Sequence, residues 1–338
     1  MRAIGYSNSL PPTDADSLQD IELPDYTASD LGANDLLVQV SAISVNPVDT
    51  KVRMSTAPES GYKVLGWDAS GTVKAVGADV TLFQPGDDVF YAGTLDRAGT
   101  NSELHVVDER IVGRKPVSLS HAHAAALPLT SITAWEMLFG GMGVQEGQGE
   151  GEALLVVGGA GGVGSALIQI AKALTRLKVI ATASRQETRD WCIRMGADHT
   201  IDHRQSLKGQ LEELGVQPRY IASLTATGQH YEEIIESITP HGTIAVIDDP
   251  PELDALKLKP KALRLHFEFM FARPLHNAPD MIEQHRLLNR ISELVDQGRI
   301  VTTAKQDGGS INAANLRAAH ALQESGRAIG KTVLAGFE

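Results

Sequence analysis

The run VVGGAGGVGSALIQIAKAL at residues 156–174 constrains this chain more than any other feature. A short apolar stretch, Ala153 to Val157, leads into it and a helix-forming stretch leads out. Gly159, Gly161 and Gly164 fall at G-x-G-x-x-G spacing, and Gly158 and Gly162 add further backbone freedom. Glycine at these places lets a chain turn sharply, lets its backbone approach a bulky anion, and lets the following helix pack close to the strand. The helix that opens at Val163 would present free N–H groups and the positive end of its dipole to that anion. A tight strand-to-helix turn without a ligand uses the same residues. The strand, helix and second strand found here in succession favour a dinucleotide pyrophosphate site.

The surrounding pattern agrees. From Glu152 onward, strand-like runs (153–157, 178–183, 200–202, 220–224, 243–247) alternate with helical ones (163–176, 187–195, 206–214, 231–238), the signature of a parallel sheet covered on both faces. Before about residue 105 the apolar runs are short, rich in Val and Ile, and broken by Gly, Pro, Asn or Asp, as in LLVQVSAI (36–43) and ASGTVKAV (69–76), which reads as antiparallel β structure. Helices are expected from Ser120 through HAHAAAL and over Ser131–Phe139. The run LRLHFEFMF (263–271) alternates strictly, with Leu263, Leu265, Phe267, Phe269 and Phe271 on one side. It reads as a sheet-edge strand, and the expected partner for that edge is a second copy of the chain, giving a homodimer through 263–271; a loop of the same chain could cover it instead. A long helix over 278–297, a helix over 312–325 and a strand over 331–335 complete the chain.

Length and composition set limits. At 338 residues, 42% of them hydrophobic, the chain exceeds one ordinary core. Thirty basic against forty-two acidic side chains give a net charge of −12, which argues against nucleic acid and anionic lipid as partners. No stretch approaches the ~18 apolar residues of a membrane span. The single cysteine, Cys192, excludes an intrachain disulfide and a four-thiolate zinc site, and fits a reducing cytoplasm.

About 20 residues beyond the glycines, a site for NAD usually carries an Asp or Glu that hydrogen-bonds the ribose. This chain has Ala183, Ser184 and Arg185 there. A hydroxyl and a guanidinium suit a 2′-phosphate that a carboxylate would repel, so NADPH is the expected cofactor. Ser184 as a helix cap and Arg185 as a solvated first-turn residue are compatible with that role.

Several segments together resemble the medium-chain dehydrogenase/reductase superfamily in its quinone oxidoreductase branch, and within it the group named zinc-type alcohol dehydrogenase-like proteins. They are SVNPVDTKVR (44–53), VLGWDASGTV (64–73), FQPGDDVFYAG (83–93), AALPLTSITAWE (125–136), the glycine turn, MGADHTIDH (195–203) and GRAIGKTVL (326–334). The resemblance spans essentially the whole chain. It implies an α/β protein with a GroES-like β-rich catalytic domain, residues 1–126 completed by 299–338, and an inserted doubly wound Rossmann domain, residues 127–298. It also implies Thr133 and Phe271 at the nicotinamide end of the cofactor, His203 near the adenosine phosphate, and Lys331 as a phosphate contact. In zinc-bearing relatives the segment matching Asn46 supplies a Cys ligand and the segment matching Trp67 a His ligand. An amide is a poor zinc donor and an indole is none, so no metal is expected.

The chemistry left open is hydride transfer to an electron-poor acceptor, a quinone or an α,β-unsaturated carbonyl, whose conjugation spreads the added charge onto oxygen. Asn46, held extended by Pro47, is a candidate donor to substrate or ribose oxygen, or else the start of an Asn turn. Tyr91 offers an aromatic face and a hydroxyl, and Trp67 an aromatic wall in the space a metal ligand vacates. Two other readings are a zinc-type alcohol dehydrogenase acting on an alcohol/aldehyde pair, and an NADPH-binding protein with little turnover.

Overall fold

The computed structural model describes residues 1–337. The chain divides into two compact units, Thr133–Met270 and a second made of Met1–Ile132 together with everything from Phe271 onward. Both chain ends therefore build one unit, and the nucleotide-type pattern forms an insertion in it. Among the described residues, no helix is long and apolar enough to cross a membrane.

The inserted unit is a six-stranded parallel sheet in the order His199–Ile201, Lys178–Thr182, Ala153–Val157, Tyr220–Ser223, Thr243–Val246, Arg264–Phe267. All five neighbouring pairs run parallel. The central strands are buried on both faces because helices cover each side, as their unbroken apolar sequence requires. Strand order reverses beside Ala153–Val157, so the glycine turn at its carboxyl end sits where doubly wound sheets open a crevice.

The other unit is built on the ten-residue strand Asp35–Ser44. It pairs antiparallel with Asp68–Val76, with Leu104–Asp108 and with the C-terminal strand Lys331–Ala335. Asp88–Ala92 and Val112–Arg114 extend the sheet beyond Asp68–Val76. A separate three-stranded sheet joins Gln19–Glu22, Arg2–Tyr6 and Lys63–Val64.

Three expectations need correction. The long helix, observed as Ile282–Asp296, belongs to the β-rich unit rather than the nucleotide unit, so the second crossover falls at Phe271 and not at 299. Its apolar face buries Leu287, Leu288, Ile291 and Leu294. A Cβ built on Gly113 would lie 2.5 Å from the Leu288 Cβ, and the Arg114 N–H donates to Asn289 Oδ1 at 2.9 Å. The first crossover lies within a helix, Pro128–Trp135, which starts earlier than its periodicity suggests and ends in a π-helical turn, Glu136–Gly141. The alternating edge strand stops at Phe267. Its partner strand ends at Val246, whose carbonyl accepts the Glu268 N–H, and beyond that point no ladder remains to hold the chain extended. Phe267 and Phe269 stand 60% and 51% exposed, while Glu268, Met270 and Phe271 turn inward.

Candidate functional site

In the nucleotide unit, the turn after Ala153–Val157 has the geometry its glycines anticipate. Gly158 adopts φ +88°, in the left-handed region open chiefly to glycine, and its N–H is held by Thr182 Oγ1 at 2.9 Å. A Cβ on Gly164 would lie 2.5 Å from the Gly158 carbonyl oxygen, so only glycine lets the helix Gly162–Leu174 start this close to the strand. Gly161 caps that helix with no side chain, leaving the first-turn N–H groups of Gly162, Val163 and Gly164 without a capping side-chain acceptor. This cradle, which a larger residue would fill, fits a pyrophosphate. Cys192 packs beneath it, its Sγ 3.1 Å from where a Gly159 Cβ would be, and burial pushes its thiol up to about 12. The thiol is a packed apolar residue rather than a nucleophile.

At the carboxyl end of Lys178–Thr182, Ser184 is half-buried and Arg185 exposed. Arg185, not Ser184, is the N-cap of the next helix, Gln186–Arg194. Sequence reasoning missed two further cations here. Arg204 bonds both the Asp202 carboxylate, at 2.7 Å, and the Ser184 carbonyl, at 3.0 Å, while Arg189 reaches Asp202 at 3.3 Å. The Arg204 guanidinium holds the Asp202 carboxyl well below the usual carboxylate range. The buried acid in MGADHTIDH was the available signal. His203 sits edge-to-face with His230 at 6.2 Å.

In the β-rich unit, a buried polar cage assembles where three strands and a helix meet. Asp68 opens its strand with no solvent exposure. Its Oδ2 accepts from Ser44 Oγ at 2.8 Å, Asn46 Nδ2 at 2.8 Å and Lys331 Nζ at 2.9 Å, and its Oδ1 from the Leu129 N–H at 2.8 Å. Lys331, 4% exposed, also donates to the Val45 carbonyl at 2.9 Å and to Asn46 Oδ1. An isolated buried charge is costly, and this pair is tolerated because both carboxylate oxygens and all three ammonium protons find partners. Asp49 completes the group: it accepts the Asn46 N–H at 2.7 Å, and burial raises its carboxyl to about 7. One ammonium neutralises one carboxylate, and Asp68 holds the direct contact.

This geometry amends the expected site. Lys331 spends its three protons inside the cage, so it is not a phosphate contact. Asn46 gives its amide to Asp68 and, at 3.4 Å, to the Ser44 carbonyl, and it takes Lys331, so it is a member of the cage rather than a free donor to substrate. Tyr91 has no solvent exposure; it stacks on His105, with 3.0 Å from its hydroxyl to Nδ1. The other ring nitrogen of His105 faces the Ala98 carbonyl, an acceptor only, so Nε2 carries the proton and the Tyr91 O–H donates to Nδ1. Burial pushes His105 down to about 4, keeping it neutral. The Tyr91 proton is therefore committed within the unit. Trp67 remains an aromatic wall: its indole N–H donates to the Thr94 carbonyl and its ring meets Phe271 edge-on at 6.0 Å. Thr133 is buried on the crossover helix, one turn beyond Leu129.

These residues do not fit a zinc ion. Asn46 Oδ1 already binds an ammonium and the Trp67 nitrogen is a committed donor. Among the described residues, no three His, Cys, Asp or Glu side chains converge as a metal site.

The raised Asp49 carboxyl has a defined linkage. An unfolded Asp loses its proton near pH ~4, whereas the folded one keeps it to about 7. Its contribution to stability is therefore complete below pH ~4 and is lost as pH rises through about 7. Asp49→Asn keeps an acceptor for the Asn46 N–H, and denaturant midpoints measured from pH 4 to 8 should fall with a shallower slope than in the native chain. Identical slopes would show that Asp49 ionises normally.

The alcohol dehydrogenase GroES-like domain matches residues 32–117, and the zinc-binding dehydrogenase domain matches residues 162–267. A zinc-type alcohol dehydrogenase-like protein of Staphylococcus aureus is 44% identical over 306 residues, covering 89% of this chain and 90% of that protein. A crystal structure from Rhizobium etli, provisionally described as a zinc-dependent alcohol dehydrogenase, is 53% identical with a TM-score of 0.96, covering 100% of this chain and 98% of that one. Escherichia coli quinone oxidoreductase complexed with NADPH shares the fold at 23% identity, with a TM-score of 0.82 over 99% of this chain and 100% of that one. With its GroES-like unit, its inserted Rossmann unit and these relatives, the chain belongs to the medium-chain dehydrogenase/reductase superfamily, among the zinc-type alcohol dehydrogenase-like oxidoreductases.

Proposed function

We propose that this oxidoreductase is a zinc-independent, NADPH-dependent reductase of quinones or α,β-unsaturated carbonyls, working as a homodimer. The observation that carries the reading is the contrast between the two units: the nucleotide cradle is intact, while the positions that match metal ligands in zinc-bearing relatives hold an amide and an indole already committed to internal hydrogen bonds. A carbonyl that needs a Lewis acid for polarisation is poorly served by such a site. A conjugated acceptor delocalises the incoming charge itself, and water can complete the protonation.

Each residue then has a limited task. Gly158, Gly159, Gly161, Gly162, Val163 and Gly164 cradle the pyrophosphate with backbone N–H groups. Ser184 and Arg185 hold the 2′-phosphate, with Arg204 anchored beside them by Asp202. His203 lines the adenosine end, and Thr133 the nicotinamide end. NADPH supplies a hydride when bound. Trp67 supports Phe271 and gives a flat acceptor an aromatic neighbour. Asn46, Asp68 and Lys331 fix the backbone around them. Two exposed phenylalanines, Phe267 at the end of the sheet-edge strand and Phe269 just past it, support self-association there, since an exposed apolar edge invites pairing.

Purified, chelator-treated protein is expected to oxidise NADPH with phenanthrenequinone or an enal and much more slowly with a plain aldehyde. A preference for the plain aldehyde, or activity that appears only on adding zinc, would reject the reading. Arg185→Asp should lower kcat/KM for NADPH by about tenfold or more, the worth of one charge-assisted contact, and leave NADH little changed; equal losses on both cofactors would remove the 2′-phosphate role. Phe267→Asp combined with Phe269→Asp should shift the protein to monomer in sedimentation velocity, and an unchanged dimer would place the interface elsewhere.

A further inference from the structure

Lys331 was expected to touch a phosphate, yet its Nζ lies among three oxygens: the Val45 carbonyl and Asp68 Oδ2, each at 2.9 Å, and Asn46 Oδ1. Each comes from a different residue, and Asp68 and Asn46 are themselves fixed by further bonds to Ser44, Leu129 and Asp49. The oxygens are therefore held in place by the surrounding structure as well as by the lysine. The pocket carries negative charge from Asp68 and is sealed from solvent, with Asp68, Asn46 and Asp49 all at 1% exposure or less. Such a set of buried acceptors around one point is a cation site, and the cation in it is the end of a side chain.

We infer that residues 44–46 and Asp68 form a preorganised ammonium-binding cage of which Lys331 is the tethered occupant, and that this ammonium, by occupying Asp68 Oδ2, keeps the carboxylate from serving a metal. The inference deepens the zinc-independent reading and rests on it for the metal clause only. The cage itself depends on neither substrate nor cofactor.

Truncation of Lys331 to alanine removes three carbons and the amine, the volume and charge of n-propylammonium. The full-length Lys331→Ala protein should therefore lose thermal stability, and millimolar n-propylammonium should restore a large part of it. n-Propanol, of similar shape but neutral, should not restore it. Rescue by the amine alone supports the cage. Equal rescue by both molecules, or by neither when the variant is folded by circular dichroism, overturns it. If Lys331→Ala is insoluble with and without the amine, Lys331→Met decides, because it fills the space and removes only the charge. It should melt well below the native protein, and adding Asp68→Asn should recover part of that loss by neutralising the stranded carboxylate. A Lys331→Met protein as stable as the native one, or a double variant no better than the single, overturns the inference. The metal clause is read separately, from zinc content after dialysis against excess zinc. Native protein should hold less than about a tenth of an equivalent, while Lys331→Ala combined with Asn46→Cys and Trp67→His should take up about one, with Asp68 freed as a third donor. A combined variant that stays metal-free, or zinc bound equally with Lys331 retained, overturns that clause while leaving the reductase reading to its own assay.

Discussion

The ion pair between Asp68 and Lys331 joins four segments distant in sequence. Asp68 begins one strand, Lys331 begins the C-terminal strand, Ser44 ends the central strand just before Asn46 caps the helix Pro47–Ser55, and Leu129 lies in the first turn of the helix that leads out of the β-rich unit. A carboxylate accepting four hydrogen bonds at that junction does more than balance charge. It specifies which strand end meets which, because removing one partner of a buried pair leaves an uncompensated ion at a cost of about 3–5 kcal/mol. The same carboxylate faces a helix N-terminus through the Leu129 N–H, where a negative charge is favoured. Strand register, chain-end closure and the start of the crossover helix thus converge on one side chain.

Asn46 and Trp67, which match metal-ligand positions of zinc-bearing relatives, are both committed to internal hydrogen bonds. The junction needs a cation to balance Asp68, and here the cation is an ammonium carried by the fold. The nucleotide cradle is formed within its own unit, by the glycine turn and the helix Gly162–Leu174.

Much of this was legible in the sequence. The parallel strands follow from apolar runs of about five residues between helical periods, and Ala153–Val157 and Lys331–Ala335 appear with the bounds expected of them. The glycine turn was legible because its requirement is local: Gly158 needs a positive φ and Gly164 a close approach, and both leave a mark on residue type. The long helix Ile282–Asp296 was misassigned because amphipathic spacing shows that a face is buried without saying against what; Gly113, which makes room for Leu288, is 175 positions away. The cage was hidden for the same reason. Asn46, Asp68 and Lys331 are ordinary polar residues in three separate motifs, and Tyr91 reads as a free hydroxyl until His105 is placed beside it. Family resemblance brought Asn46 and Lys331 to notice, but assigned the lysine to the cofactor.

Lys331 Nζ occupies the space between Asn46 Oδ1 and Asp68 Oδ2. Anomalous diffraction at the zinc absorption edge, from crystals of the NADPH complex grown with excess zinc, tests it most directly. No anomalous peak is expected there, with the Lys331 amine still on Asp68. A zinc peak within bonding distance of Asn46 or Asp68, with Lys331 displaced, would contradict it.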